Sequence, residues 1–139
     1  MTAVRDFVDS VIPQFTEAEI SLHNGKVEPR LAMWSRRDPV TLFGAGKSVF
    51  TAQEAEEIFR WVASTFVKCK TYDLELIEAN VSGDLAYTVA YERYEAIRQD
   101  GSIARNTLRA THVYRREGNE WKIVHRHGDH ATDAPSIGR

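Results

Sequence analysis

Three turn signals cut the second half of the chain into four long strands, and that division constrains the fold more than any other feature. Ser82-Gly83-Asp84, Asp100-Gly101 and Gly118-Asn119 each set a glycine between two runs that carry β-branched and aromatic side chains. The runs so bounded are Tyr72–Val81, Leu85–Arg98, Ile103–Arg116 and the segment from Trp121 onward. Strands joined this closely pair with their sequence neighbours, which gives an antiparallel meander.

The first half has a different period. Val4, Phe7, Val8, Val11, Ile12, Phe15, Ala18 and Leu22 recur at helical spacing, and Gly25 is placed to close that helix. Pro13 lies inside it and is expected to kink or split it. Pro29 suits the first turn of a short helix through Trp34, Val40–Phe43 reads as a short strand, and Gly44-Ala45-Gly46 as a tight connection. Thr51 and Glu54 form a capping box before a helix whose Ala55, Ile58, Phe59, Val62 and Phe66 share one face. Three helices followed by a meander make an α+β fold, with the helices covering one face of a curved sheet.

Composition excludes several classes of function. A chain of 139 residues fits one domain, expected over 1–131 with a loose tail at 132–139. With 42% hydrophobic and 27% charged residues, net charge −2 and a pI near 6.2, it reads as an ordinary soluble protein without a nucleic-acid-binding surface. It has no apolar run long enough for a membrane span. Arg5, Asp6 and Asp9 argue against a signal peptide, and the single Cys69 allows no intrachain disulfide; a cytoplasmic protein is expected.

The late strand carries the chemistry. After Trp121-Lys122-Ile123-Val124 come His125-Arg126-His127-Gly128-Asp129-His130. A strict period of two puts Trp121, Ile123, His125, His127 and Asp129 on one face, running from core into polar surroundings. Residues 103–130 also hold six Arg or Lys against three acids, a locally positive stretch suited to an anionic or carbonyl-bearing ligand. Alternate strand residues converge on one side, so His125, His127 and Asp129 have metal-ligand spacing; the pattern is short and common by chance, and no metal or other cofactor is expected.

The helix, the short helix ending in Trp34-Ser35, "DPVTLFGA" at 38–45, the capped helix and four strands ending in "WKIVHRH" together resemble the nuclear transport factor 2-like superfamily, especially its SnoaL-like and ketosteroid-isomerase-like branch. Residues 109–127, "RATHVYRREGNEWKIVHRH", also resemble the end of the association (hub) domain of calcium/calmodulin-dependent kinase II. The resemblance implies a cone with a pocket between concave sheet and helices, usually in a homodimer. It places Phe43-Gly44 where a ketosteroid isomerase carries its catalytic base, and no Tyr precedes Tyr72, so that activity is not expected. It offers Asp129 as counterpart of the acidic base of SnoaL-like cyclases, and it aligns His112 with a ligand-binding Arg of hub domains.

Hairpin geometry adds a register argument. A two-residue loop at Asp100-Gly101 sets Glu92 opposite Arg109. A three-residue loop at 117–119 then sets Arg109 opposite His127, aligning Glu92, Arg109 and His127 across three strands; a two-residue loop at Gly118-Asn119 sets His112 opposite His125 instead. The expected function is binding of a small organic molecule, with cofactor-independent isomerisation, cyclisation or dehydration as its chemistry. His127 or Asp129 would be the base and Arg109 the oxyanion partner. Trp34, Phe43, Phe59, Tyr91, Glu92, His112 and His125 would contact the ligand. The rival expectation is a non-catalytic sensing or oligomerisation domain. Apolar residues on both strand faces (Val89, Tyr91 and Ile97; Ala90, Tyr94 and Ala96) predict a homodimer through the open face of the sheet.

Overall fold

The computed structural model describes residues 2–132, so the expected loose tail lies outside them apart from its first residue. Helix α1 spans Ala3–Leu22, α2 Glu28–Met33 and α3 Ala52–Ser64; the strands are β1 Thr41–Gly44, β2 Lys47–Val49, β3 Phe66–Ser82, β4 Leu85–Arg98, β5 Ile103–Glu117 and β6 Glu120–His130. They form one six-stranded sheet in the order β2-β1-β6-β5-β4-β3, antiparallel except that β1 runs parallel to β6. The α+β fold with helices on one face of a mainly antiparallel sheet is as expected. Strand β2 was not anticipated: Gly44-Ala45-Gly46 is a hairpin turn, and Ala45 and Gly46 take positive φ there.

Local signals account for the helices. Thr51 Oγ1 accepts the Glu54 N–H at 3.1 Å, and Glu54 Oε1 accepts the Phe50 N–H at 3.1 Å, closing the capping box of α3. Helix α1 runs on through Pro13 without splitting. Pro13 and Asp9, whose carbonyl loses its partner to the ring, are both exposed, so the break faces solvent. Gly25 ends α1 with φ +87° while Gly25 N–H bonds to Leu22 O and Lys26 N–H to Ser21 O, a left-handed closure. A side chain there would also meet the Phe66 carbonyl oxygen at 2.9 Å, so both conformation and space demand glycine.

Phe7, Val11, Phe15, Ala18 and Leu22 of α1 are buried against Tyr114 and Ile123 of the sheet, with Phe7 edge-on to Tyr114 at 5.0 Å. The sheet's far face is uncovered by helices, and Ile77, Leu85, Tyr87 and Ile103 are exposed on it. No helix of the described residues is long and apolar enough to cross a membrane.

The strand registers correct the sequence reading. The β4–β5 loop holds three residues, with Arg98 N–H bonded to Ser102 O at 2.9 Å and Gly101 at φ +85°. Tyr91 therefore pairs with Arg109, and Glu92 with Leu108. A one-residue slip sends every side chain to the opposite face. The β5–β6 turn has two residues, but a bulge at Val124 shifts the register between Tyr114↔Ile123 and Val113↔His125. Arg126, Gly128 and His130 thus inherit the inner face that Ile123 begins, while His125, His127 and Asp129 turn outward. The bulge falls where β6 exchanges its isolated bridge to Trp34 for pairing with β1.

Candidate functional site

The helices and the concave face of the sheet enclose a cavity of about 520 Å³. Its apolar walls come from α1, α3 and the sheet: Leu22, Leu42, Ile58, Phe59, Val62 and Leu108. Its rim is the β1–β2 turn on one side and His127–His130 on the other. The floor is polar, and almost all of it is withdrawn from water.

Four charged side chains build that floor. Glu92 on β4 and Arg126 on β6 reach each other across β5, past Ala110 of β5 and its β6 partner Gly128; Arg126 donates from Nη1 to Glu92 Oε2 at 2.6 Å. A Cβ on Gly128 would stand 3.1 Å from the Arg126 guanidinium, so this glycine is the space in which the arginine lies. Glu19, on the buried face of α1, accepts from Arg30 of α2 at 2.9 Å through Nε and again through Nη2. All four residues are less than a tenth exposed. Two carboxylates meet two guanidiniums, so the floor is charge-compensated, as buried charges must be.

The compensation shows in the titration of its members. Burial pushes the Glu19 carboxyl up, but Arg30, Arg126 and His23 together outweigh it, and Glu19 lies below the ordinary carboxylate range. Desolvation works against the Arg126 charge, but Glu92 and Glu19 more than reverse that and hold it firmly protonated. His112 stands behind Arg126, edge-on to Phe15 at 4.7 Å, with Nε2 3.0 Å from Arg126 Nη1. A guanidinium can only donate, so Nε2 is the accepting nitrogen. Burial, aided by Arg126, holds His112 well below the usual imidazole range, so it is neutral.

A second group at the floor was missed in the sequence. His23 ends α1 with Nδ1 2.7 Å from the Glu19 carbonyl oxygen, and burial keeps its pKa low despite that bond and the Glu19 charge. Its ring lies against Tyr94 at 4.1 Å and Phe66 at 4.8 Å. Asn106 Nδ2 donates to Tyr94 Oη at 2.9 Å, and burial raises the Tyr94 phenol. Tyr72, beneath this group, is raised further by burial and by Glu92, and its hydroxyl has no hydrogen-bond partner among the described residues.

The candidates read from sequence are scattered over the molecule. Glu92 and Phe59 line the cavity, and His112 is one layer beneath it. Phe43 stands at the rim, edge-on to His127 at 5.4 Å and to His125 at 5.7 Å; His127 and Asp129 also border the rim, and His125 Nδ1 meets Thr41 Oγ1 at 2.7 Å on the outer side. Tyr91 and Arg109 lie on the outer face, Tyr91 under the Arg93 guanidinium. Trp34 is buried one layer behind the wall, packed on Phe59 at 4.7 Å.

The expected unit of Glu92, Arg109 and His127 is not formed. Glu92 belongs to Arg126 on the inner face, whereas Arg109 makes a bidentate pair with Asp129 at 2.9 and 2.8 Å on the outer face, both side chains about half exposed. Among the described residues no group of three or more His, Cys, Asp or Glu side chains is placed to share a metal ion.

The sequence signal for the missed residues was a charge on an apolar stripe. Glu19 follows Phe15 by four and precedes Leu22 by three, at the centre of the buried face of α1. An acid in that position needs a buried cation, and Arg30, just past the α1–α2 connection, is the nearest in sequence that helix packing brings to it.

Comparison with known proteins agrees with this architecture. The family model described as a SnoaL-like domain matches residues 8–131. No curated protein matches the chain in sequence. Among solved structures, a nuclear transport factor 2-like superfamily protein from Salmonella enterica serovar Typhimurium superposes with a TM-score of 0.73 at 17% identity, covering 97% of this chain and 96% of its own. A candidate dehydratase of the same superfamily from Streptomyces avermitilis gives 0.72 at 19% identity, with 94% and 99% covered. The association domain of the C. elegans calcium/calmodulin-dependent kinase II gives 0.66 at 12% identity, with 91% and 98% covered. These likenesses share the fold, and the family match over nearly the whole chain settles the membership: this protein belongs to the SnoaL-like domain family, and its fold is that of nuclear transport factor 2-like proteins.

Proposed function

We propose that the protein binds a small organic molecule in the concave cavity, apolar body against the walls and polar end on the charged floor, and that its chemistry there is cofactor-independent proton transfer of the isomerase, cyclase or dehydratase kind. One observation carries this reading: an apolar cavity of about 520 Å³ ends on buried titratable groups whose protonation is set by burial and by their neighbours. That volume suits a small-molecule ligand, and such placed groups mark functional sites more often than a uniformly apolar core does. N-phenyl-1-naphthylamine, a neutral fluorophore, tests it. Saturable enhancement of its emission that is lost in Leu108→Trp, where the indole fills the cavity, supports the reading. Enhancement that survives in the folded Leu108→Trp variant rejects it.

A homodimer through the outer sheet face accompanies this reading. Ile77, Leu85, Tyr87 and Ile103 are exposed there beside half-buried Val89 and Val113, an apolar surface that a monomer rarely leaves in water. Light scattering should give twice the chain mass of 15.8 kDa, and the single-chain mass at micromolar concentration rejects the dimer.

A further inference from the structure

We infer that His23 and Tyr94 form a paired acceptor and donor on the cavity floor that selects a neutral, hydroxyl-bearing aromatic or alicyclic ligand. The inference rests on the cavity being the ligand site and specifies what the cavity recognises.

The acceptor follows from the tautomer. A carbonyl oxygen only accepts, so the 2.7 Å contact between His23 Nδ1 and Glu19 O places the ring proton on Nδ1. Nε2 then carries a bare lone pair. It takes no hydrogen bond from a described residue, and it is not among the partnerless side-chain atoms shut away from solvent, which are Tyr72 Oη and Arg93 Nε. His23 lines the cavity, so Nε2 opens onto it. The donor follows in the same way. Tyr94 Oη accepts from Asn106 Nδ2, which leaves the hydroxyl proton for another partner, and the Tyr94 and His23 rings lie 4.1 Å apart. A ligand hydroxyl that reaches both atoms from the cavity would donate to Nε2 and accept from Oη.

The charge preference follows from the floor. Arg30 and Arg126 are each paired with a carboxylate, Glu19 and Glu92, so the floor holds no uncompensated positive charge for an anionic ligand. A carboxylate-bearing molecule would add a third buried negative charge to two carboxylates already matched by two guanidiniums.

Three naphthalenes of one size test the pair by fluorescence titration of the intact protein at pH 7: 2-naphthol, 2-methoxynaphthalene and 2-naphthoate. One neutral hydrogen bond is worth roughly a fivefold change in affinity. The expected result is that 2-naphthol binds about fivefold more tightly than its methyl ether, and that 2-naphthoate binds no more tightly than the ether. His23→Phe removes the preference for the naphthol over its methyl ether. Tyr94→Phe weakens the naphthol and the ether together, since both use their oxygen as acceptor. Equal affinity for the naphthol and the ether in the unaltered protein overturns the inference and leaves the cavity reading intact. So do tighter binding of 2-naphthoate and unchanged affinities in Tyr94→Phe. Failure of all three compounds to bind removes the cavity reading as well. A measurement without variants stands beside these: long-range proton–nitrogen NMR of the histidine rings should show His23 protonated on Nδ1 and bare on Nε2. The opposite tautomer overturns the inference whatever the variants do.

Discussion

Arg126→Met should cost far more stability than Arg109→Met, although both remove an arginine from an ion pair. The Arg126 side chain is 8% exposed and its partner Glu92 1%, whereas Arg109 and Asp129 are 50% and 49% exposed. Without Arg126, Glu92 is left as a buried carboxylate beside an apolar methionine, and His112 loses its donor. Breaking such a buried pair from one side costs about 3–5 kcal/mol. The exposed pair is worth at most about 1 kcal/mol, because water solvates whichever partner remains. Urea unfolding at pH 7 and fixed protein concentration, followed by circular dichroism, gives both values. Glu92→Gln in the Arg126→Met background removes the stranded charge, so the double variant should be more stable than the sum of the two single losses implies, by about 1–3 kcal/mol. Equal costs for the two arginine variants, or simple addition in the double variant, would refute the placement of the charged floor.

Other perturbations follow from the same geometry. His23 and His112 are held neutral by burial, so the unfolded chain takes up protons near the ordinary imidazole pKa while the folded one does not. Stability is full above about pH 6.5 and falls below it, by at most about 1.4 kcal/mol per pH unit for each imidazole. His112→Gln, which keeps an acceptor for Arg126, should make that slope shallower between pH 6.5 and 5, and an unchanged slope in urea midpoints counts against a neutral His112. Gly128→Ala presses a methyl onto a guanidinium already bonded to Glu92 at 2.6 Å, and a loss of about 1–3 kcal/mol is expected by thermal or urea unfolding. No loss means that the arginine has another place to go. Gly25→Ala meets both a positive φ and the Phe66 carbonyl oxygen, and a decrease of less than about 1 kcal/mol in the same assay would contradict the closure described for α1.

Much of the architecture was legible because the local signals agree with the global fold. The capping box at Thr51 and Glu54, the glycine at position 25 and the three strand-separating turns each lie where the sequence reading placed them. The site was legible only in part, and the reason is parity. Strand reading assigns faces by counting twos, and two single-residue events reversed the count. The β4–β5 loop holds three residues instead of two, which moved Arg109 off the face of Glu92. The Val124 bulge exchanged the two faces of β6, sending His125, His127 and Asp129 out and Arg126 in. Neither event has a strong composition signal: Asp-Gly serves loops of both lengths, and nothing in Ile123-Val124-His125 marks the extra residue. Glu19 and Arg30 were hidden for another cause. Their pairing depends on how α1 packs on α2, which no local pattern encodes.

The proposed ligand site is the concave cavity and not the depression on the outer face. Nuclear Overhauser contacts from 2-methoxynaphthalene to the methyl groups of the protein decide between them. Contacts to Leu22, Leu42, Ile58 and Leu108, which line the cavity, are the predicted result. Contacts confined to Ile77 and Val89, which line the outer depression with Tyr91 and Arg109, would contradict the cavity site.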